Sequence, residues 1–273
     1  MRTVQITFSP TGGTQKVADC IMSGWPAPAA RLDLTRHDFP GFALEKDDLA
    51  LIAVPSYGGR VPALAVQRLS LIHGSQAQCV IVCVYGNRAY EDTLVELQDA
   101  AEQAGFRVFA AVAAVAEHSI MHQYAAGRPD QLDRAELTRF GTQILEKFGA
   151  SDVAGAVSIP GKRPYKKAGG AGLVPKAGKA CTACGLCAGN CPAQAISRDS
   201  LSTADSKKCI SCMRCVVQCP HSARQVNGAL VSVAALAIKK ACSESCGSAY
   251  RNRPPHPPST PCGNSAGYRL LPH

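Results

Sequence analysis

Eight of the fourteen cysteines fall into two copies of the pattern C-x2-C-x2-C-x3-C-P. The first copy is Cys181, Cys184, Cys187 and Cys191 before Pro192; the second is Cys209, Cys212, Cys215 and Cys219 before Pro220. Every position of the second lies 28 residues after its counterpart. A cubane iron–sulfur cluster needs four thiolates converging from a tightly wound loop, and this spacing suits it. Zinc sites use C-x2-C pairs separated by a longer loop, so a third cysteine at x2 and a fourth at x3 are surplus to tetrahedral zinc. Disulfides belong to oxidising compartments, whereas residues 1–8 alternate like a strand and show no signal-peptide core. The pattern points to a pair of iron–sulfur clusters.

A second chemistry lies near the start of the chain. Ser9, Pro10, Thr11, Gly12, Gly13 and Thr14 follow a strand-like run and open a helix-like one. Ser9, Thr11 and Thr14 offer hydroxyl donors, and the glycines let backbone N–H groups converge at a helix N-terminus, as a phosphate monoester requires. No lysine stands in the loop and G-x4-G-K-[ST] is absent, which argues against a Walker-type nucleotide site. A Gly-rich β–α turn without ligand is the plainer alternative.

These residues need a scaffold. Apolar strand-like runs at 4–8, 31–34, 49–54, 79–85 and 108–115 alternate with helical stretches at 14–23, 62–71, 90–104 and 131–148. That order predicts an α/β fold with a doubly wound parallel five-stranded sheet. Ligands of such sheets bind beyond the carboxyl ends of the strands, where strand order reverses. Two more loops leave those ends. One holds Pro55, Ser56, Tyr57, Gly58, Gly59 and Arg60; the other holds Tyr85, Gly86, Asn87, Arg88, Ala89 and Tyr90. By themselves they read equally well as ordinary loop aromatics and surface charges.

Residues 179 to about 230 resemble a bacterial-type ferredoxin with two [4Fe–4S] clusters. The resemblance implies that Cys181, Cys184, Cys187 and Cys219 hold one cluster, and Cys209, Cys212, Cys215 and Cys191 the other. Gly185 then lets the backbone turn closely around inorganic sulfide, and Pro192 and Pro220 end each loop. The 9–14 loop resembles the flavodoxin fingerprint S/T-x-T-G-x-T, which binds the FMN phosphate without a basic residue. In flavodoxin-like proteins the other two loops flank the isoalloxazine ring. Tyr57 or Tyr90 would stack on it, Gly58, Gly59, Gly86 and Asn87 would approach its polar edge, and Arg60 or Arg88 would compensate charge. The chain is thus similar to the flavodoxin–ferredoxin fusion proteins, often called ferrodoxins, of anaerobic bacteria. That implies electron transfer between two clusters and FMN, as a redox carrier or a component of an oxidoreductase. A ferredoxin whose α/β domain binds no flavin and only docks a partner is the alternative. No catalytic acid or base is readable.

The implied division is a flavodoxin-like domain at 1–150, a linker at 151–178, a ferredoxin domain with a trailing helix at 179–240, and a disordered tail at 241–273. Residues 1–150 carry 13 Lys/Arg against 16 Asp/Glu, whereas residues 151–273 carry 16 against 4. The basic half suits an acidic redox partner, or equally a solvated basic linker and tail. No aromatic interleaving or reading motif suggests nucleic acid. No apolar run reaches the length of a membrane span, and reduced thiols point to the cytoplasm. His118 and His122, four residues apart, read as part of an ordinary surface or lid segment in preference to a metal pair. Cys242, Cys246 and Cys262 match no site spacing.

Overall fold

The computed structural model describes residues 2–149, 158–169, 172–243 and 269–271. Its elements run β1 (Thr3–Thr7), α1 (Gly13–Ile21), β2 (Ala30–Asp33), β3 (Phe42–Ala43), β4 (Leu49–Pro55), α2 (Ala63–Leu69), β5 (Ile72–His73), β6 (Gln78–Tyr85), α3 (Thr93–Gln103), β7 (Arg107–Val115) and α4 (Gln131–Gly149). Beyond these come β8 (Lys176–Ala177), α5 (Leu186–Gly189), α6 (Arg214–Val217), β9 (Arg224–Gln225), α7 (Gly228–Ser243) and β10 (Arg269–Leu271).

The main sheet is ordered β10-β7-β6-β4-β1-β2. Its five strands from the α/β region are all parallel to their neighbours. Numbered along the chain, they run 2-1-3-4-5, the order of the flavodoxin-like doubly wound fold. Alternate side chains of one strand point to opposite faces. Leu49, Leu51 and Ala53 of β4 pack with Val17, Ile21, Leu137 and Phe140 of α1 and α4. Ala50, Ile52 and Val54 pack with Ala65, Leu69, Leu94 and Leu97 of α2 and α3. Burial on both faces is why these strands read as unbroken apolar runs. The backbones of α1 and α4 approach so closely that a Cβ on Gly141 would overlap Ile21 O.

Within 241–273, residues 241–243 complete α7, and β10 adds a sixth, antiparallel strand along β7. A three-residue edge strand carries no periodicity to read, and the ladder of β7 supplies its partners. Residues 244–268, with Cys246 and Cys262, lie outside the described residues.

In the cysteine-rich region β8 and β9 pair antiparallel beside the short helices α5 and α6. The stretch at 158–169 runs along α3. Asp92 accepts the backbone N–H groups of Lys162 (3.0 Å) and Lys166 (2.8 Å), and Asp99 pairs with Arg163 at 2.6 Å and bonds Tyr165. Among the described residues no helix is long and apolar enough to cross a membrane.

Candidate functional site

The cysteines ring two cavities. Cys181, Cys184, Cys187 and Cys219 line one, with Leu186 and Arg224. Cys191, Cys209, Cys212 and Cys215 line the other, with Ile196, Ile210 and Arg214. Cys191 therefore sits with the later motif and Cys219 with the earlier one.

The backbone repeats as the spacing does. Ala183, Gly185 and Gln194 have φ of 55°, 77° and 47°, and 28 residues later Ser211, Met213 and Ser222 have φ of 53°, 61° and 48°. A left-handed L-residue costs about 1–2 kcal/mol, so five such non-glycine residues in two loops mark a turn kept for what it encloses. Each fourth cysteine also accepts a backbone N–H, Ala195 N to Cys191 Sγ at 3.3 Å and Ala223 N to Cys219 Sγ at 3.2 Å.

Burial pushes the Cys212 thiol up to about 12 and that of Cys215 to about 11. Burial opposes ionisation of Cys219 too, but N–H groups of Ala223, His221 and Arg224 hold it below the ordinary thiol range. A metal group entering the second cavity must therefore displace protons. Tetrahedral zinc draws its sulfurs to about 2.3 Å from one point. Among the described residues no three His, Cys, Asp or Glu side chains converge on a single-ion site. Sulfurs spread around a cavity fit a polynuclear group with its own sulfides.

The second cavity abuts the α/β domain. Ile210 packs against the core beneath α2 and α3. Arg68 of α2 donates to Leu34 O at 2.6 Å and to Pro192 O at 2.5 Å. Arg214 lies 3.7 Å from Asp33 at the end of β2. Tyr57, in the loop after β4, has its hydroxyl pKa raised well above the ordinary value, first by burial and then by the neighbouring Cys212.

The three loops all leave the carboxyl ends of β1, β4 and β6. In the first, Ser9 Oγ accepts Gln15 N–H at 2.9 Å, Thr14 is buried, and Gly12 opens α1 with φ 89°. A Cβ on Gly12 would meet nothing within 4 Å, so the backbone of this loop is open on that side.

The other two loops are filled largely by their own chain. A Cβ on Gly58 would lie 2.9 Å from Gly169 O, one on Gly59 would overlap Glu91 Oε2, and one on Gly86 would lie 2.6 Å from His118 Cδ2. Ser56 Oγ shares a 2.7 Å hydrogen bond with Thr93 Oγ1. Arg60 makes two 2.7 Å contacts with Glu96 and donates to Lys166 O, while Arg88 pairs with Glu91 at 2.9 Å. Asn87 donates to Cys242 O of α7 at 2.8 Å, and Tyr85 meets Tyr90 edge-on at 5.4 Å.

Sequence reasoning gave His118 only a place in a surface or lid segment, and gave Tyr124 and α7 no role at this edge. His118 packs on Gly86, and its Nδ1 accepts N–H groups of Ile120 (3.2 Å) and Met121 (3.1 Å). Burial, first, holds its pKa below the ordinary histidine value, and the accepting Nδ1 leaves the proton on Nε2. His122 pairs instead with Glu117 at 2.7 Å. Tyr124 Oη donates to Ala235 O at 2.6 Å and joins this segment to α7. The polar excursion after β7 was the one signal of it in the sequence.

The family model described as a 4Fe-4S dicluster domain matches residues 180–224. A flavodoxin of Streptococcus pneumoniae TIGR4 is 14% identical with a TM-score of 0.38, over 54% of this chain and 99% of that one. A flavodoxin from the domain Archaea is 13% identical with a TM-score of 0.37, over 54% and 98%. An azoreductase of Bacillus anthracis is 10% identical with a TM-score of 0.38, over 52% and 100%. Likenesses this distant carry no argument, and the fold follows from the strand order itself. No curated protein gives a significant match. The chain joins a flavodoxin-like α/β domain to a 4Fe–4S iron–sulfur domain.

Proposed function

We propose that this chain is an electron-transfer protein in which two [4Fe–4S] clusters exchange single electrons with an FMN on the α/β domain. The abutment of the Cys191, Cys209, Cys212 and Cys215 cavity on the carboxyl edge of the sheet, with Tyr57 beside Cys212, supports this most directly. Cys181, Cys184, Cys187 and Cys219 would ligate the outer cluster; Cys191 and the remaining three would ligate the inner one. The hydroxyls of Ser9, Thr11 and Thr14 and the N–H groups opening α1 would hold the FMN phosphate. Arg68, Ile210 and Arg214 keep the two domains in register. Cys181 and Cys184 are exposed, so a redox partner protein would meet the chain there. The role is that of a carrier or an oxidoreductase component in a reducing cytoplasm.

A second reading keeps the clusters without a flavin and makes the α/β domain a docking module. The close packing of Gly58, Gly59 and Gly86 against their own chain favours it. Anaerobic purification followed by iron, sulfide, zinc and flavin assays separates the two. About eight iron and eight sulfide with one FMN per chain is the expected result, by two-cluster stoichiometry. Iron without flavin leaves the docking reading, and zinc without sulfide sinks both.

A further inference from the structure

Arg224, on β9, is 2% exposed and heads the largest fully buried side chains. The corresponding residue of the earlier motif, 28 positions before it, is the aliphatic Ile196. Its Nη1 donates to Leu201 O at 2.7 Å and lies 3.7 Å from Cys187 Sγ, and its Nη2 lies 3.3 Å from Pro175 O. Its Nε is buried with no hydrogen-bond partner. Among the described residues the partners of this guanidinium are carbonyls and cysteine sulfur, with no carboxylate among them.

An arginine keeps its proton in proteins, and a buried charge must be paired or given up. Arg224 cannot give it up, so the anion must come from its surroundings. It lines the cavity of Cys181, Cys184, Cys187 and Cys219, beside Cys187 Sγ. Arg214, the arginine of the second cavity, has Asp33 at 3.7 Å and so brings less uncompensated charge.

We propose that Arg224 is a fixed positive charge at the cluster of the Cys181 cavity, and that it raises the reduction potential of that cluster. The inference rests on the two-cluster reading. Taking up one electron makes a cluster more negative, so a nearby cation in a low-dielectric site favours the reduced form.

The test uses the full chain, reconstituted anaerobically, with iron and sulfide counted before an EPR-monitored reductive titration. A wild-type chain without about eight iron fails the two-cluster reading itself, an outcome distinct from any effect of the substitutions. Arg224→Met and Arg224→Gln are expected to move the one-electron equilibrium of the more affected cluster about tenfold toward oxidised, ~59 mV. Arg224→Lys, which keeps the charge, is expected to move it much less. Unchanged potentials in a fully loaded Arg224→Met variant overturn the proposal, as does an equal shift in Arg224→Lys. Should Met and Gln both lose iron, retention by Lys supports a requirement for charge, and loss by Lys too identifies a packing role and refutes it.

Discussion

Arg68 is where the α/β domain grips the iron–sulfur domain, and replacing it by methionine tests that grip. Methionine keeps an unbranched apolar stem but strips both bonds, to Leu34 O at 2.6 Å and to Pro192 O at 2.5 Å. Only the second crosses between domains. A hydrogen bond involving a charged group contributes about 1.5–3 kcal/mol net. Against that, burial, the first cause, already holds the Arg68 pKa below the ordinary arginine value, so removing the charge recovers part of a desolvation cost. The balance is a docking equilibrium weakened by about 2 kcal/mol, roughly 30-fold. Hydrogen exchange of the 190–213 segment is the assay, because Pro192 and the packed Ile210 lie within it. The variant should retain its iron, exchange faster there, and reduce flavin more slowly after cluster reduction. Unchanged protection of that segment would refute the assignment of Arg68 as the strut between domains.

The same geometry sets three further outcomes. Cys191→Ala should disturb the cluster signal that Cys209→Ala disturbs, and Cys219→Ala the one that Cys181→Ala disturbs, as read by EPR of each variant; the reverse pairing contradicts the cavities. The double variant Thr11→Val and Thr14→Val should lose FMN while keeping iron and sulfide, and retained FMN would exclude the first loop as the phosphate site. Asp48 is held below its usual 3.8 by hydrogen bonds from Arg2, against the opposing effect of burial. A carboxylate with a depressed folded pKa stabilises fully above the unfolded value and ceases to do so as pH falls through the folded one. The melting temperature of the wild type should therefore exceed that of Asp48→Asn by a constant margin above pH 3.8, and the margin should shrink below it.

What was legible in the chain is what neighbouring residues decide. The 28-residue repeat dictates two loops of one shape, because turn geometry depends on a few consecutive torsions, and Ala183 and Ser211 adopt the same φ despite unlike side chains. Alternating strands and helices likewise foretell a parallel sheet, since burial on both faces leaves uninterrupted apolar runs. The function of a glycine was not legible. Gly58, Gly59 and Gly86 suited the approach of a flavin, and each also faces an atom of its own chain that lies far from it in sequence. Arg60 and Arg88 suited a compensating charge, and Glu96 and Glu91 pair with them. β10 escaped notice because an edge strand of three residues is specified by the ladder it joins and not by its own pattern. The sequence by itself thus determined the ligand types, their loops and the class of sheet. The crossed cysteine sets, implied by the resemblance, are the ones that line the two cavities. Only the tertiary structure decided which cavity meets the sheet and where Arg224 lies, because those depend on packing between segments that no local periodicity encodes.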